Sequence, residues 1–151
     1  MLTNNKKCVL GAGTFYTTGI DMPDGATLLG MGDATVLHKT GVRSYVINMN
    51  KNNVVENLCI DGNDAVSGTI GTHHGILWNG NYSTSQDPTI QPQNGKLSDL
   101  TIKNCDGGGI TCNDTGTKRF NNLIASNIAI NNCNVGINIP FYSEYHRFTN
   151  V

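Results

Sequence analysis

Ser98-Asp99-Leu100-Thr101-Ile102-Lys103-Asn104-Cys105 is the stretch whose reading decides the fold, because it recurs. Its copies are Glu56-Asn57-Leu58-Cys59-Ile60-Asp61-Gly62-Asn63 and Ser126-Asn127-Ile128-Ala129-Ile130-Asn131-Asn132-Cys133. Each sets a polar residue, an apolar one, a small one and Ile ahead of a turn built from Asn, Gly and Cys. A shorter phrase follows each copy: Gly75-Ile76, Gly109-Ile110 and Gly136-Ile137. Two short strands per repeat, joined by an Asn-rich turn, predict a chain wound as a stack of coils.

Alternation then assigns faces. Leu58 and Ile60 are two residues apart and share one face of a strand, as do Leu100 with Ile102 and Ile128 with Ile130. In the second strand the inward pairs are Ile76 with Trp78, Ile110 with Cys112, and Ile137 with Ile139. Stacking the copies sets like on like at about 4.8 Å per coil. From Leu100 to Ile128 the chain advances 28 residues, and from Leu58 to Leu100 it advances 42. The longer coil therefore carries inserted loops, at 64–73 and 79–96. Val151 falls 23 residues after Ile128, where a further copy would open, so the sequence predicts a partial stack, either a fragment or a segment covered by another domain or chain.

The 151 residues read as a single domain, with entry coils at 8–55 and repeated coils at 56–151. Charged residues make up only 14% and the net charge is -1, so no basic face for nucleic acid is offered. No apolar run is long enough to insert into a membrane. Met1-Leu2-Thr3-Asn4-Asn5-Lys6-Lys7 lacks the apolar core of a signal peptide. The five cysteines contain no Cys-x-x-Cys pair, so metal is not implied by them; Cys105 and Cys133 share one repeat position and read as stacked, buried thiols.

The opening coils carry a resemblance. Gly13-Thr14-Phe15-Tyr16, then Met22-Pro23-Asp24-Gly25-Ala26-Thr27-Leu28-Leu29-Gly30-Met31-Gly32, then Thr35-Val36-Leu37, resemble the start of the pectate-lyase-like right-handed parallel β-helix proteins. Domains of this kind occur in bacteriophage tailspike and appendage proteins. The Asn-Leu-x-Ile and Gly-Ile phrases are similar to later coils of that superfamily, so the likeness covers 8–63 and 97–151. It implies an all-β, right-handed parallel β-helix, and the crossover rule for parallel strands agrees with that hand. The acid triplets and Gly-His-Gly element of polygalacturonases are absent. So are the Arg-x-Pro-x-x-Arg and Trp-Ile-Asp-His elements of classical pectate lyases.

Several groups are candidates for chemistry. With Leu and Ile inward, Cys59, Thr101 and Ala129 point outward, flanked by Asp61, Lys103 and Asn131. Asn57, Asp99, Asn127 and Asn150 form a second column. Asp61 beside Lys103 could hold an acidic sugar, or Lys103 could act as a base if its pKa were depressed; an ordinary surface ion pair is the plainer alternative. Asp61 and Asp99, on adjacent coils, are candidates for the paired acids of glycoside hydrolysis. His73 and His74 sit on opposite faces of a strand and cannot readily share one metal. His73 is a candidate substrate contact. Trp78 and Tyr82, beside the long loop, could stack on a sugar ring.

The leading expectation is a structural, host-surface polysaccharide-binding domain of a bacteriophage spike, fibre or appendage. It would be a homotrimer in the host-adsorption apparatus of a virion. Two alternatives stand: a polysaccharide lyase or glycoside hydrolase, for which Ca2+ is the ion a lyase-like site implies, and a secreted bacterial surface adhesin. The reading otherwise calls for no cofactor.

Overall fold

The computed structural model describes residues 6–64, 71–78, 94–112, 120–139 and 143–151. Among them there is no helix, only strands and turns. The strands are β1 (Lys7–Val9), β2 (Gly13–Thr17), β3 (Ile20–Asp21), β4 (Thr27–Lys39), β5 (Tyr45–Met49), β6 (Asn53–Asp61), β7 (His74–Trp78), β8 (Gly95–Cys112), β9 (Phe120–Asn121), β10 (Leu123–Asn138), β11 (Ser143–Glu144) and β12 (Arg147–Thr149). Ten of them form one sheet in which every pairing is parallel, and β9 pairs β11 in a small second one. The large sheet curls through 261°, like a partial barrel.

Register shows how the sequence copies stack. Leu58, Leu100 and Ile128 are successive partners, and Phe15, Leu37, Ile60, Ile102 and Ile130 form a row across five strands. A second row runs Ile20, Ile47, Ile76, Ile110 and Ile137. Most of these side chains lie in the buried core, each fully buried aliphatic contributing about 1.5–3 kcal/mol. The 23-residue step also holds, since the Ile128 N–H donates to Asn150 O at 3.0 Å.

Two strands per repeat proved too few. The run 53–56 aligns with 95–98 and 123–126, giving a third row through Val55, Leu97 and Ala125. All three are buried. The legs are set off by corners five residues apart. Asn57, Asp99, Asn127 and Asn150 take φ between 54° and 59°, Asn104 and Asn132 take 55° and 51°, and Asn52 and Asn122 take 55° and 62°. Left-handed backbone excludes most side chains but is tolerated by Asn and Asp, which is why asparagine recurs. Side-chain amides then chain from coil to coil. Asn150 donates to Asn127 at 3.1 Å and Asn127 to Asp99 at 3.0 Å. Asn132 donates to Asn104 at 2.8 Å and Asn104 to Asp61 at 3.0 Å, while Asn122 donates to Asn94 and Asn94 to Asn52.

Two inward and outward assignments change. Ile139, expected inside, is exposed, because the row it extends ends at the edge of the stack. Cys59, expected on the outer face, is only 3% exposed. The cause is a bulge in β4: register slips between Leu29 and Gly32 and again between Gly32 and Val36, and the extra residues fold over the strand beneath.

Candidate functional site

The outward face of β2, β4, β6, β8 and β10 carries a continuous row: Tyr16, His38, Asp61, Lys103 and Asn131 are successive register partners. At about 4.8 Å per strand it spans about 19 Å. The Tyr16 and His38 rings meet edge to face with centroids 5.4 Å apart. His38 Nδ1 lies 3.5 Å from Asp61 Oδ2, and Lys103 Nζ lies 3.8 Å from the same oxygen. Burial pushes the Asp61 carboxyl upward, but the Asn104 amide, the Asn63 N–H and the charges of Lys103 and His38 outweigh it. The net result is a carboxyl held below its usual value, so Asp61 is an ionised anchor and an unsuitable proton donor at neutral pH.

Asp61 and Lys103 are thus brought together, with Asn131 beside Lys103. Asp99 is not brought to Asp61. It occupies the corner one coil away, four residues back along the strand direction, a backbone offset of about 13 Å. That exceeds the carboxylate separation that glycoside hydrolysis uses, about 5–10 Å. His73 faces Asp64 instead, with Nδ1 3.3 Å from Oδ2, and Asp64 also takes Lys39 Nζ at 3.1 Å. Lys39 is buried, so this pair closes the end of the face rather than waiting for a ligand.

Trp78 corrects the expectation of ring stacking. It is 1% exposed, its indole N–H donates to Asn50 O at 3.1 Å, and it offers no ring face to a sugar. Alternation with Ile76 places this indole at the second inward position of β7, and burial there outweighs its suitability for stacking. Tyr82 and most of both loop insertions lie outside the described residues. His74, the neighbour of His73, turns inward: Gly108 N–H donates to its Nδ1 at 2.9 Å, and Thr111 Oγ1 lies 3.0 Å away.

A groove that the sequence did not reveal runs beside the corner column. Its volume is about 470 Å³. Asp99, Asn127 and Asn150 of the corner column line it, with Thr101 and Ala129 and with Gly32 and Asp33 of the β4 bulge. The bulge is pinned. Met31 N–H donates to Thr35 Oγ1, which donates to Gly11 O at 2.7 Å, and Asn57 Nδ2 donates to Gly30 O at 3.2 Å. Asp33 stands near enough to Cys59 that, after burial, its charge helps raise that thiol's pKa. Nothing in Gly30–Thr35 repeats elsewhere in the chain, so periodicity could not flag Asp33.

Among the described residues no three His, Cys, Asp or Glu side chains gather to hold a metal ion, so no step is routed through Ca2+. No described helix is long and apolar enough to cross a membrane. No protein-family model matches the chain, and neither the curated proteins nor the solved structures yield a match.

Proposed function

We propose that this chain is a partial right-handed parallel β-helix of the pectate-lyase-like kind, serving as a host-surface polysaccharide-binding domain of a bacteriophage spike, fibre or appendage. The observation that supports glycan binding best is the outer face: a polar row about 19 Å long, lying beside a groove bordered by laddered amides and carboxylates. Such rows repeat along the stack at a fixed step, which suits a polymer of repeating sugar units. Amides and carboxylates held by neighbours lose little freedom when they bind sugar hydroxyls. The phage setting and a trimeric state rest on the resemblance of the opening coils.

The test is binding to a panel of bacterial surface polysaccharides. Ala129→Trp fills the groove from an exposed position and should weaken binding at least about tenfold, whereas Val42→Trp, on a fully exposed turn, should not. Equal binding by both variants would move the site elsewhere, and no binding by any polymer would remove the reading. Light scattering of the full-length protein decides the trimer.

A hydrolase or lyase remains the second reading, favoured by one observation: Asp33 and Asp99 line the same groove. Release of reducing or unsaturated ends by the parent chain, abolished in Asp99→Asn, would establish it.

A further inference from the structure

We infer that the groove between Asp33 and Asp99 takes uncharged or amino-bearing sugar units and rejects uronate, sialate and other polyanionic chains. This rests on the reading of the outer face as a glycan site and specifies its substrate class.

The argument is the charge of the lining. Two carboxylates, Asp33 and Asp99, line the space. Among the described lining residues none is basic. Lys103, the nearest cation on the same face, stands on the next outward row and is committed to Asp61 at 3.8 Å. Lys96 pairs with Glu56, and Arg147 shares its row, on the leg before the Asn150 corner. The cations of this region are therefore either paired or across a corner, and the groove itself is anionic.

Asp99 is also fixed in place. Its φ of 55° sets it at the corner, and its Oδ1 accepts the Asn127 amide. A carboxylate so held cannot swing away from an approaching anion. It can accept a strong charge-assisted hydrogen bond from a sugar hydroxyl or ammonium group. Asn127 and Asn150 supply both donors and acceptors, and Thr101 a hydroxyl. The small Ala129 leaves room for the flat side of a ring. A uronate carboxylate seated near either aspartate would lose on the order of tenfold in affinity at physiological salt.

The experiment uses a panel of bacterial polysaccharides in which each acidic member is offered twice, native and with its carboxyl groups reduced to alcohols. Binding is measured to the parent chain, to Asp33→Asn, to Asp99→Asn and to the double variant. Asparagine keeps the left-handed corner and can still accept from Asn127, so the fold should survive, as circular dichroism would confirm. The parent should bind neutral or amino-sugar polymers, and reduced forms about tenfold or more above their native partners. The double variant should narrow that gap. Parent binding to native polyanions as tight as to the reduced forms, or a gap unchanged in the double variant, would overturn the charge inference while leaving glycan binding intact. No binding to any member would overturn glycan binding, and this inference with it.

Discussion

Replacing Asn104 separates what holds a corner together. Asn104 has φ 55°, accepts the Asn132 amide at 2.8 Å and donates to the ionised Asp61 at 3.0 Å. The neutral bond is worth about 1 kcal/mol and the charged one about 2 kcal/mol. Asn104→Gly keeps the backbone at ease and loses both bonds, so it should destabilise by about 3 kcal/mol. Asn104→Ala loses the same bonds and adds left-handed strain of about 1–2 kcal/mol. Even after the extra unfolded-state freedom of glycine, the alanine variant should be about 1 kcal/mol the less stable of the two. Asn104→Asp retains the acceptor for Asn132 but sets a second carboxylate against Asp61. Its deficit should be greatest at neutral pH and shrink as acid protonates one of the pair. The assay is urea unfolding followed by circular dichroism at pH 7 and pH 4. Equal stability of the glycine and alanine variants would refute the claim that the corner conformation selects asparagine.

Three further outcomes follow from particular contacts. Burial, then the charge of His73, lowers the His74 pKa, and burial lowers that of His146, so the unfolded chain binds protons better. Stability should be full above the unfolded value near 6.5 and fall as pH drops through the folded values, with a shallower fall in His74→Asn, which still accepts from Gly108; parallel melting curves from pH 8 to 5 check this. Cys105, whose Sγ donates to Lys103 O at 3.4 Å, is the register partner of Cys133 and draws the Cys133 pKa down to about 7, while Cys105 itself is pushed far up. Iodoacetamide should therefore label Cys133 with a midpoint near 7, moving toward the ordinary thiol value in Cys105→Ala, as peptide mapping would read. Gly30→Ala would place a Cβ 2.5 Å from Asn57 O and 2.7 Å from Leu58 Cβ. Displacing the bulge should cost about 2 kcal/mol and expose Cys59 to thiol reagents, and a silent Cys59 would show that something else covers it.

The stack was legible because alternation and repetition are local. Leu58 with Ile60 and Leu100 with Ile102 declared a shared face by spacing alone, and Asp61, Lys103 and Asn131 followed as outward neighbours. The third leg was missed because Asn53-Val54-Val55, Gly95-Lys96-Leu97 and Leu123-Ile124-Ala125 share little but an inward small or aliphatic residue. The signal lay instead at Asn52 and Asn57, at Asn94, Asp99 and Asn104, and at Asn122, Asn127 and Asn132. A five-residue beat of residues that accept left-handed backbone marks corners, and Asn57, Asp99, Asn127 and Asn150, expected as an outer column, stand at them. Asp33 and the burial of Cys59 could not be read at all. Both depend on where a single unrepeated bulge folds, which is a matter of tertiary packing and leaves no period.

The corner ladders and the outer row have opposite electrostatic designs, and that contrast gives the face its character. Along the row, charge is cancelled locally: Asp61 sits between His38 and Lys103, and at its end Asp64 sits between Lys39 and His73. These pairs leave the row polar yet close to neutral. Along the corner, Asp99 accepts the neutral amide of Asn127, and Asp33 lines the same groove. In a chain carrying only 14% charged residues, two carboxylates thus line the groove beside the row with no basic residue among its described lining. A long neutral polymer could lie along the row with little desolvation of charge, while single hydroxyls reach the corner carboxylates. Affinity would then come from many weak contacts and selectivity from two fixed anions.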